Sequence, residues 1–315
     1  MGILKPPGPG ILYLDQCAFC DVISPLGRPG WLEVSRLVEE GVLSGRLVVP
    51  LGVEHVLETA DCEDRDKYRR RFNEMRRISG GLSFITSEQL TALELFARVR
   101  EADVKREQVI VKADPSFFEL DKGLLSKAKR GANAHFVSRH AGYNSMRNRN
   151  PSDRLMVARA VDEFAKRRSR KTFEMLAASL RSIIAGRSIL DAKVEHSAEE
   201  GILEELLAVP HSIPDLVMLV RYLEQNDDKV IPSVNVGKQL MLDWNRLQRD
   251  FDGNDYFDFS RMKIAVPCAD IIVTDAEMAS AIRRTGVDLL YGTKVFSCKE
   301  SQLDGLISVL KSFVN

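Results

Sequence analysis

Residues 10–23 read GILYLDQCAFCDVI, and this stretch decides the predicted fold. The run from Ile11 to Leu14 is entirely apolar, which is typical of a strand buried on both faces of a parallel sheet. It stops abruptly on a carboxylate, Asp15. In open parallel sheets the carboxyl ends of the strands form the ligand crevice. We therefore expect Asp15 to lie at the edge of the sheet where a ligand binds.

Residues 271–275, IIVTD, repeat this pattern near the other end of the chain. If the two strands are neighbours in one parallel sheet, Asp15 and Asp275 come together at the same edge. The alternative is that each Asp only caps the helix that follows it or begins a turn, as Asp often does. With the other acidic residues described below, we favour a shared site.

The rest of the chain alternates short apolar segments with helical patterns at both ends. Further strands are predicted at RLVVP (46–50), LSFIT (82–86) and TKVFS (293–297), and one helix is expected over residues 51–77. Such alternation predicts an α/β fold, Rossmann-like, in which a parallel sheet carries helices on both faces. The middle is mainly helical, and HSIPDLVMLVRYLEQ begins with a capping box from Ser212 to Asp215. We predict an α/β domain from residues 1–105 and 250–315, with a helical insertion at 106–249.

The composition gives the chain no net charge that would attract a nucleic acid or a membrane as a whole. Lys and Arg total 45, as do Asp and Glu, so binding of nucleic acid would have to use local basic patches. An apolar run of transmembrane length is absent from the sequence, as is a signal-like beginning. We expect a cytoplasmic protein with no membrane partner. The odd number of cysteines, five, fits a reduced compartment.

Cys17 and Cys20 form a C-x-x-C pair, which suggests a zinc site or a redox centre. A structural zinc site needs a second pair of ligands, but the other cysteines are isolated in the sequence and no suitably spaced histidine pair lies near them. We therefore expect the thiols to be buried and inert.

Further acidic residues have a spacing that favours a shared site. Glu54 and Glu58 lie four apart on a predicted helix and share a face, while Asp255 and Asp258 lie three apart near a predicted helix start. The alternatives are a solvated surface for the Glu pair and a helix-dipole complement for the Asp pair. Converging carboxylates repel one another, and a hard divalent cation such as Mg²⁺ removes that repulsion.

This order of acids resembles the acidic constellation of PIN-domain (PilT N-terminus) ribonucleases, over roughly residues 10–105 and 250–315. The resemblance implies that Asp15, Glu58, Asp258 and Asp275 are the catalytic carboxylates and hold Mg²⁺ or Mn²⁺. It also implies a phosphodiester hydrolase in which the metal activates water and stabilises charge at phosphorus.

The sequence departs from the family pattern at several points, which leaves alternative ligands open. Family members commonly place one residue between the Thr and the last Asp, whereas Thr274 is adjacent to Asp275, so Glu277 is an alternative. Glu54 competes with Glu58, and Asp255 with Asp258. The segment AVPCADIIVTD resembles one branch of the family with an Asp ahead of the fourth strand, so Asp270 is a further metal candidate.

The expected substrate is RNA or single-stranded DNA, while the sequence does not say whether there is a protein partner. Positive charge is concentrated in residues 65–77, 166–171 and the segment SRHAGYNSMRNRN, residues 138–150. The last offers the phosphate contacts and stacking ring that we favour, from Arg139, Arg147, Arg149 and Tyr143. The alternative is that each basic run is a solvated face.

Two competing functions stay open. A PIN-like module without catalysis, binding nucleic acid or protein, is supported by the irregular Thr-Asp spacing. A phosphoryl-transfer protein with Asp15 as nucleophile would resemble haloacid-dehalogenase-like phosphatases. Those usually carry a second Asp two positions later, where this chain has Cys17.

Overall fold

A parallel sheet forms the centre of the fold. The computed structural model describes residues 8–25, 28–59, 65–113, 127, 130, 172–185, 198–226, 231–247 and 253–314. Its strands are β1 (Gly10–Leu14), β2 (Leu47–Val48), β3 (Leu82–Phe84), β4 (Ile110–Lys112), β5 (Ile271–Thr274) and β6 (Lys294–Ser297). Four of them form one sheet in the order β2-β1-β5-β6, and all of its pairings are parallel.

Strands β1 and β5 are neighbours, as the sequence predicted. Leu12 pairs with Ile271 and Leu14 with Val273, so both strands run in the same direction and end at the same edge. The backbone N–H of Asp15 continues the ladder by donating to the Val273 carbonyl at 2.8 Å. This register places the residues that follow both strands side by side.

The described helices account for most of the predicted helical segments. They are α1 (Gln16–Ile23), α2 (Pro29–Leu43), α3 (Val53–Thr59), α4 (Arg65–Ser79), α5 (Ser87–Val99), α6 (Arg106–Val109), α7 (172–184), α8 (Ala198–Ala208), α9 (Ile213–Gln225), α10 (Pro232–Arg246), α11 (Gly253–Cys268), α12 (Ala276–Thr285), α13 (Val287–Tyr291) and α14 (Leu303–Val314). The capping box of α9 is confirmed, with Asp215 N–H donating to Ser212 Oγ at 3.3 Å. None of these helices has the length and apolarity needed to cross a membrane.

Helices cover both faces of the sheet. In β1, Ile11 and Tyr13 face a core shared with α10, α11 and α12, while Leu12 and Leu14 face a second core shared with α1, α2 and α14. Alternate residues of one strand therefore point into different cores, because side chains alternate across a strand. Both faces need apolar residues, which explains the uninterrupted apolar run.

The third predicted strand does not join the parallel sheet as we expected. Strand β3 pairs antiparallel with β4, a strand that the sequence did not predict, and it meets the segment after β2 only through a parallel bridge from Leu51 to Ser83. Pro50 precedes the bridge and has no N–H to donate, so the ladder cannot continue evenly from β2 into this segment.

The region predicted as an insertion is mainly helical where the structure describes it. Helices α7, α8 and α9 pack with α5 around a third core, which includes Phe96, Leu180, Leu206 and Leu219. Helix α10 lies in the same predicted region, but its apolar face, with Leu240 and others, packs in the core that contains Ile11. The helix predicted over residues 51–77 corresponds to α3 and α4, and residues 60–64 lie outside the described residues.

Candidate acidic site at the carboxyl edge of the sheet

Asp15 and Asp275 each follow a strand and each cap the next helix. Asp15 Oδ1 accepts from the N–H of Gln16 at 2.7 Å, at the start of α1. Asp275 Oδ1 accepts from the N–H groups of Glu277 and Met278 at 2.7 and 3.0 Å, at the start of α12. The capping alternative is therefore confirmed for both residues, and it coexists with their position at one edge of the sheet.

Asp15 is held by more than its cap. Its side chain is buried, and Oδ2 accepts a hydrogen bond of 2.9 Å from the hydroxyl of Thr274 on the neighbouring strand. Oδ1 also accepts from Nη1 of Arg261. Burial pushes the pKa of Asp15 upward, but Arg261 and the hydrogen bonds outweigh it and hold this pKa below its usual value. Asp15 is therefore an anion at neutral pH.

Arg261, on α11, is the residue that joins the acidic side chains. Its Nη2 pairs with Glu58 on α3, and lies 3.3 Å from Oδ1 of Asp258 one turn earlier on its own helix. The Arg261 side chain is only 2% exposed. Its Nε is buried with no hydrogen-bond partner among the described residues, so this arrangement leaves the guanidinium partly unsatisfied.

The remaining carboxylates of the site are poorly compensated. Burial raises the pKa of Asp258 to about 7 despite Arg261, and the charges of Asp15, Glu58 and Asp275 add to the rise. Burial also raises the pKa of Asp275, reinforced by Asp15. Negative charge therefore exceeds what the guanidinium neutralises, which is the condition that favours binding of a further cation.

His55 fixes the position of the strand end next to Asp15. Its Nδ1 accepts from the Gly52 N–H at 2.9 Å, so the proton is on Nε2, which donates to the Leu14 carbonyl at 2.7 Å. Burial, with the charge of Arg261, lowers the pKa of His55 to about 4, so the ring is neutral at pH 7. His55 is a structural tie between α3 and β1.

The alternative ligands that the sequence left open lie at different distances from the acidic site. Glu54 is buried near the site, and burial raises its pKa to about 7. Asp255 is buried in the first turn of α11, and Glu277 is exposed in the first turn of α12. Asp270 as a ligand is wrong, because it lies at the amino end of β5. There it accepts from the Ile11 N–H at 2.8 Å and pairs with Arg106 at 3.3 Å.

The predicted nucleic-acid contacts Arg139, Tyr143, Arg147 and Arg149, and the run at 166–171, lie outside the described residues. The basic stretch 65–77 forms α4, where Arg69 and Arg70 are exposed. Arg77, near the end of that helix, pairs with Glu39 and Glu74.

The expectation that the thiols are buried is wrong for Cys17. This residue is exposed in the first turn of α1, and its Sγ lies 3.0 Å from Sγ of Cys298, which follows β6. The hydrogen bond with Cys298, with partial desolvation of the sulfur by the surrounding protein, raises the pKa of the Cys17 thiol. Cys268 is buried, as expected, and Cys20 is partly exposed.

The chemical type of the donor atoms fits a hard divalent cation. Asp15, Glu58, Asp258 and Asp275 offer only carboxylate oxygens, the ligands that Mg²⁺ and Mn²⁺ prefer. Within the described ranges, no group of three or more His, Cys, Asp or Glu side chains is already arranged around one metal position. Arg261 lies between three of these acids, so a cation would have to displace the guanidinium or share the carboxylates with it.

Sequence reasoning did not predict that Arg261 and Thr274 bind Asp15, or that Cys298 contacts Cys17. Only Arg261 left a local signal, since it lies one helical turn after Asp258. Comparison of the chain with protein-family models, curated proteins and solved structures gives no match.

Proposed function

We propose that this protein is a metal-dependent nuclease that hydrolyses phosphodiester bonds of RNA, of the kind that the resemblance to PIN-domain ribonucleases implies. The observation that carries the proposal is the parallel pairing of β1 with β5, which brings Asp15 and Asp275 to one edge of the sheet. Helices α3 and α11 add Glu58 and Asp258 at the same place, through their shared contact with Arg261.

In this proposal Asp15, Glu58, Asp258 and Asp275 hold Mg²⁺ or Mn²⁺. The ion, when bound, acidifies water and stabilises charge at phosphorus. The chain keeps Asp15 anionic and oriented through Thr274 and the first turn of α1. Substrate RNA, or single-stranded DNA, binds through basic side chains, with Arg139, Tyr143, Arg147 and Arg149 as the proposed contacts.

The test compares Asp15→Asn with Asp270→Asn on labelled single-stranded and structured RNA and on single-stranded DNA, with Mg²⁺ or Mn²⁺. Both substitutions remove one anion next to the same pair of strands, but at opposite ends. We expect Asp15→Asn to lower the cleavage rate by roughly two orders of magnitude or more. We expect Asp270→Asn to retain cleavage once circular dichroism shows that it is folded. Cleavage that persists equally in Asp15→Asn, or that survives excess EDTA, contradicts the proposal.

A second candidate is a binding module without catalysis, and the position of Arg261 favours it. A guanidinium that already contacts three acids can serve in place of the metal as their counter-ion. The same assay separates the two functions. Wild-type protein that binds RNA but cuts neither RNA nor DNA with any divalent cation supports the module.

A further inference from the structure

Cys17 and Cys298 form a thiol pair at the rim of the acidic site, although they lie 281 positions apart in the chain. Their sulfur atoms lie 3.0 Å apart, about 1 Å more than a disulfide bond requires. Cys17 is exposed, so a small oxidant can reach the pair. Neither the C-x-x-C spacing nor the proposed nuclease function accounts for this contact.

The backbone holds both thiols at the end of the sheet. Cys17 is in the first turn of α1, two residues after Asp15. The N–H of Cys298 donates to the Thr274 carbonyl at 3.0 Å, and its Sγ lies 3.3 Å from the same oxygen. The pair therefore bridges the segment after β1 and the segment after β6 across the end of β5. Only a small side-chain movement is needed to bring the sulfur atoms to bonding distance.

We propose that Cys17 and Cys298 form a reversible disulfide that fastens α1 to the end of β6 beside the acidic site. The oxidant is a small-molecule disulfide. The thiolate of one cysteine attacks it, releases one small thiol and forms a mixed disulfide. The second cysteine then attacks the protein sulfur and releases the second small thiol. The S–S bond of the oxidant breaks, one forms in the protein, and the two protons and two electrons leave with the released thiols.

A zinc site is the competing use of two close thiols. Zinc sites use three or four protein ligands. In the part of the chain that the structure describes, no third His, Cys, Asp or Glu joins these sulfurs as a metal-binding group. The geometry therefore favours a bond between the sulfurs.

The test measures thiol status, so it is independent of nuclease activity. The full chain is reduced and then incubated at a series of glutathione to glutathione-disulfide ratios until the thiol content no longer changes. Each sample is quenched in acid, alkylated and digested for mass spectrometry. We expect Cys17 and Cys298 to lose alkylation together and to appear as one cross-linked peptide pair.

Variants separate this pair from the other cysteines. Cys20→Ser, on the same helix as Cys17, should leave the cross-link unchanged. Cys17→Ser should abolish it and leave Cys298 alkylated or as a glutathione mixed disulfide. Cys17→Ala provides the same test if the Ser variant does not fold. Independent alkylation of Cys17 and Cys298 at every ratio, or a cross-link from Cys17 to Cys20, overturns the proposal.

A second measurement reports the cross-link through stability. Because the disulfide closes a very long loop, the oxidised wild type should melt roughly 5 °C or more above the reduced protein. The difference should disappear in Cys17→Ser and persist in Cys20→Ser. Equal melting temperatures of fully cross-linked and reduced wild type would refute the fastening of α1 to β6.

Discussion

Arg261→Met tests whether the acidic site needs a cation. Methionine keeps much of the apolar stem of arginine but removes the charge that pairs with Asp15, Glu58 and Asp258. Because the guanidinium is buried, the substitution leaves carboxylates without a counter-charge in a place that solvent screens poorly. We expect the variant to be less stable at pH 7.5 in EDTA.

The size of this loss follows from burial. Removing one partner of a buried ion pair costs about 3–5 kcal/mol. For a chain of this length that corresponds to a melting temperature lower by about 10 °C. At pH 5 the deficit should shrink, because protons then neutralise carboxylates whose pKa burial already raises, such as Asp258.

The decisive assay is thermal melting against Mg²⁺ or Mn²⁺ concentration. A cation that binds only the folded state stabilises it by about 2.7 kcal/mol at 100 times its dissociation constant. We expect this rise in melting temperature to be larger in Arg261→Met than in wild type, since the guanidinium no longer competes. Arg36→Met, which removes an exposed arginine that pairs with Glu33 and Glu40, is the matched control. If the divalent cation raises the melting temperatures of Arg261→Met and Arg36→Met by the same amount, the acidic residues do not form a cation site.

Two further predictions concern single side chains. Burial raises the pKa of Glu94 to about 7, so the folded state binds more protons than the unfolded state between about pH 4.5 and 7, and stability falls as pH rises through that window. The wild type should therefore lose about 3 kcal/mol of unfolding free energy between pH 5 and 8, and Glu94→Gln should not show this loss. Urea unfolding at both pH values measures the difference. The same pH profile in Glu94→Gln and wild type would contradict the raised pKa of Glu94. Thr274→Val should cost about 2 kcal/mol in urea unfolding at pH 7, because Asp15 loses a hydrogen bond to its charged form. Thr285→Val, whose hydroxyl bonds only carbonyls of its own helix among the described residues, should cost clearly less, and equal costs would refute the special role of Thr274.

The centre of the fold could be predicted because its strands are buried on both faces. Strands β1 and β5 carry uninterrupted apolar runs, a signal that does not depend on their neighbours. Helix α1 was missed because its sequence, QCAFCDVI, is short and follows a strand directly. Strand β4 has only three residues, two of them exposed, so it has no apolar pattern to detect. Its antiparallel pairing with β3 depends on tertiary contacts that spacing does not encode.

The site could be predicted only in part, because some of its contacts join residues that are far apart in the sequence. Asp15 and Asp275 were predicted because each ends an apolar strand, and parallel pairing then brings them to one edge. Arg261 was missed because its partners Asp15 and Glu58 lie 246 and 203 residues away in sequence. Asp270 was correctly placed ahead of its strand, but it was carried over from the resemblance as a metal candidate. An Asp that precedes a parallel strand and one that follows it lie at opposite edges of the sheet.

Capping and charge clustering are not alternatives at this edge, because the sheet that gathers the carboxylates also gathers the amino ends of helices α1 and α12. Asp15 has both a cap bond and an ion pair with Arg261, and its pKa is lowered although it is buried. Asp275 has the cap bonds but, among the described residues, no ion pair with Arg261, and its pKa is raised. Asp258 has only the longer contact with Arg261, and its pKa rises to about 7. The amino end of α12 therefore does not by itself offset the effect of burial on the pKa of Asp275. In the proposed metal site, Asp258 and Asp275 would therefore gain most from an added cation, while Asp15 would already be an anion before a cation binds.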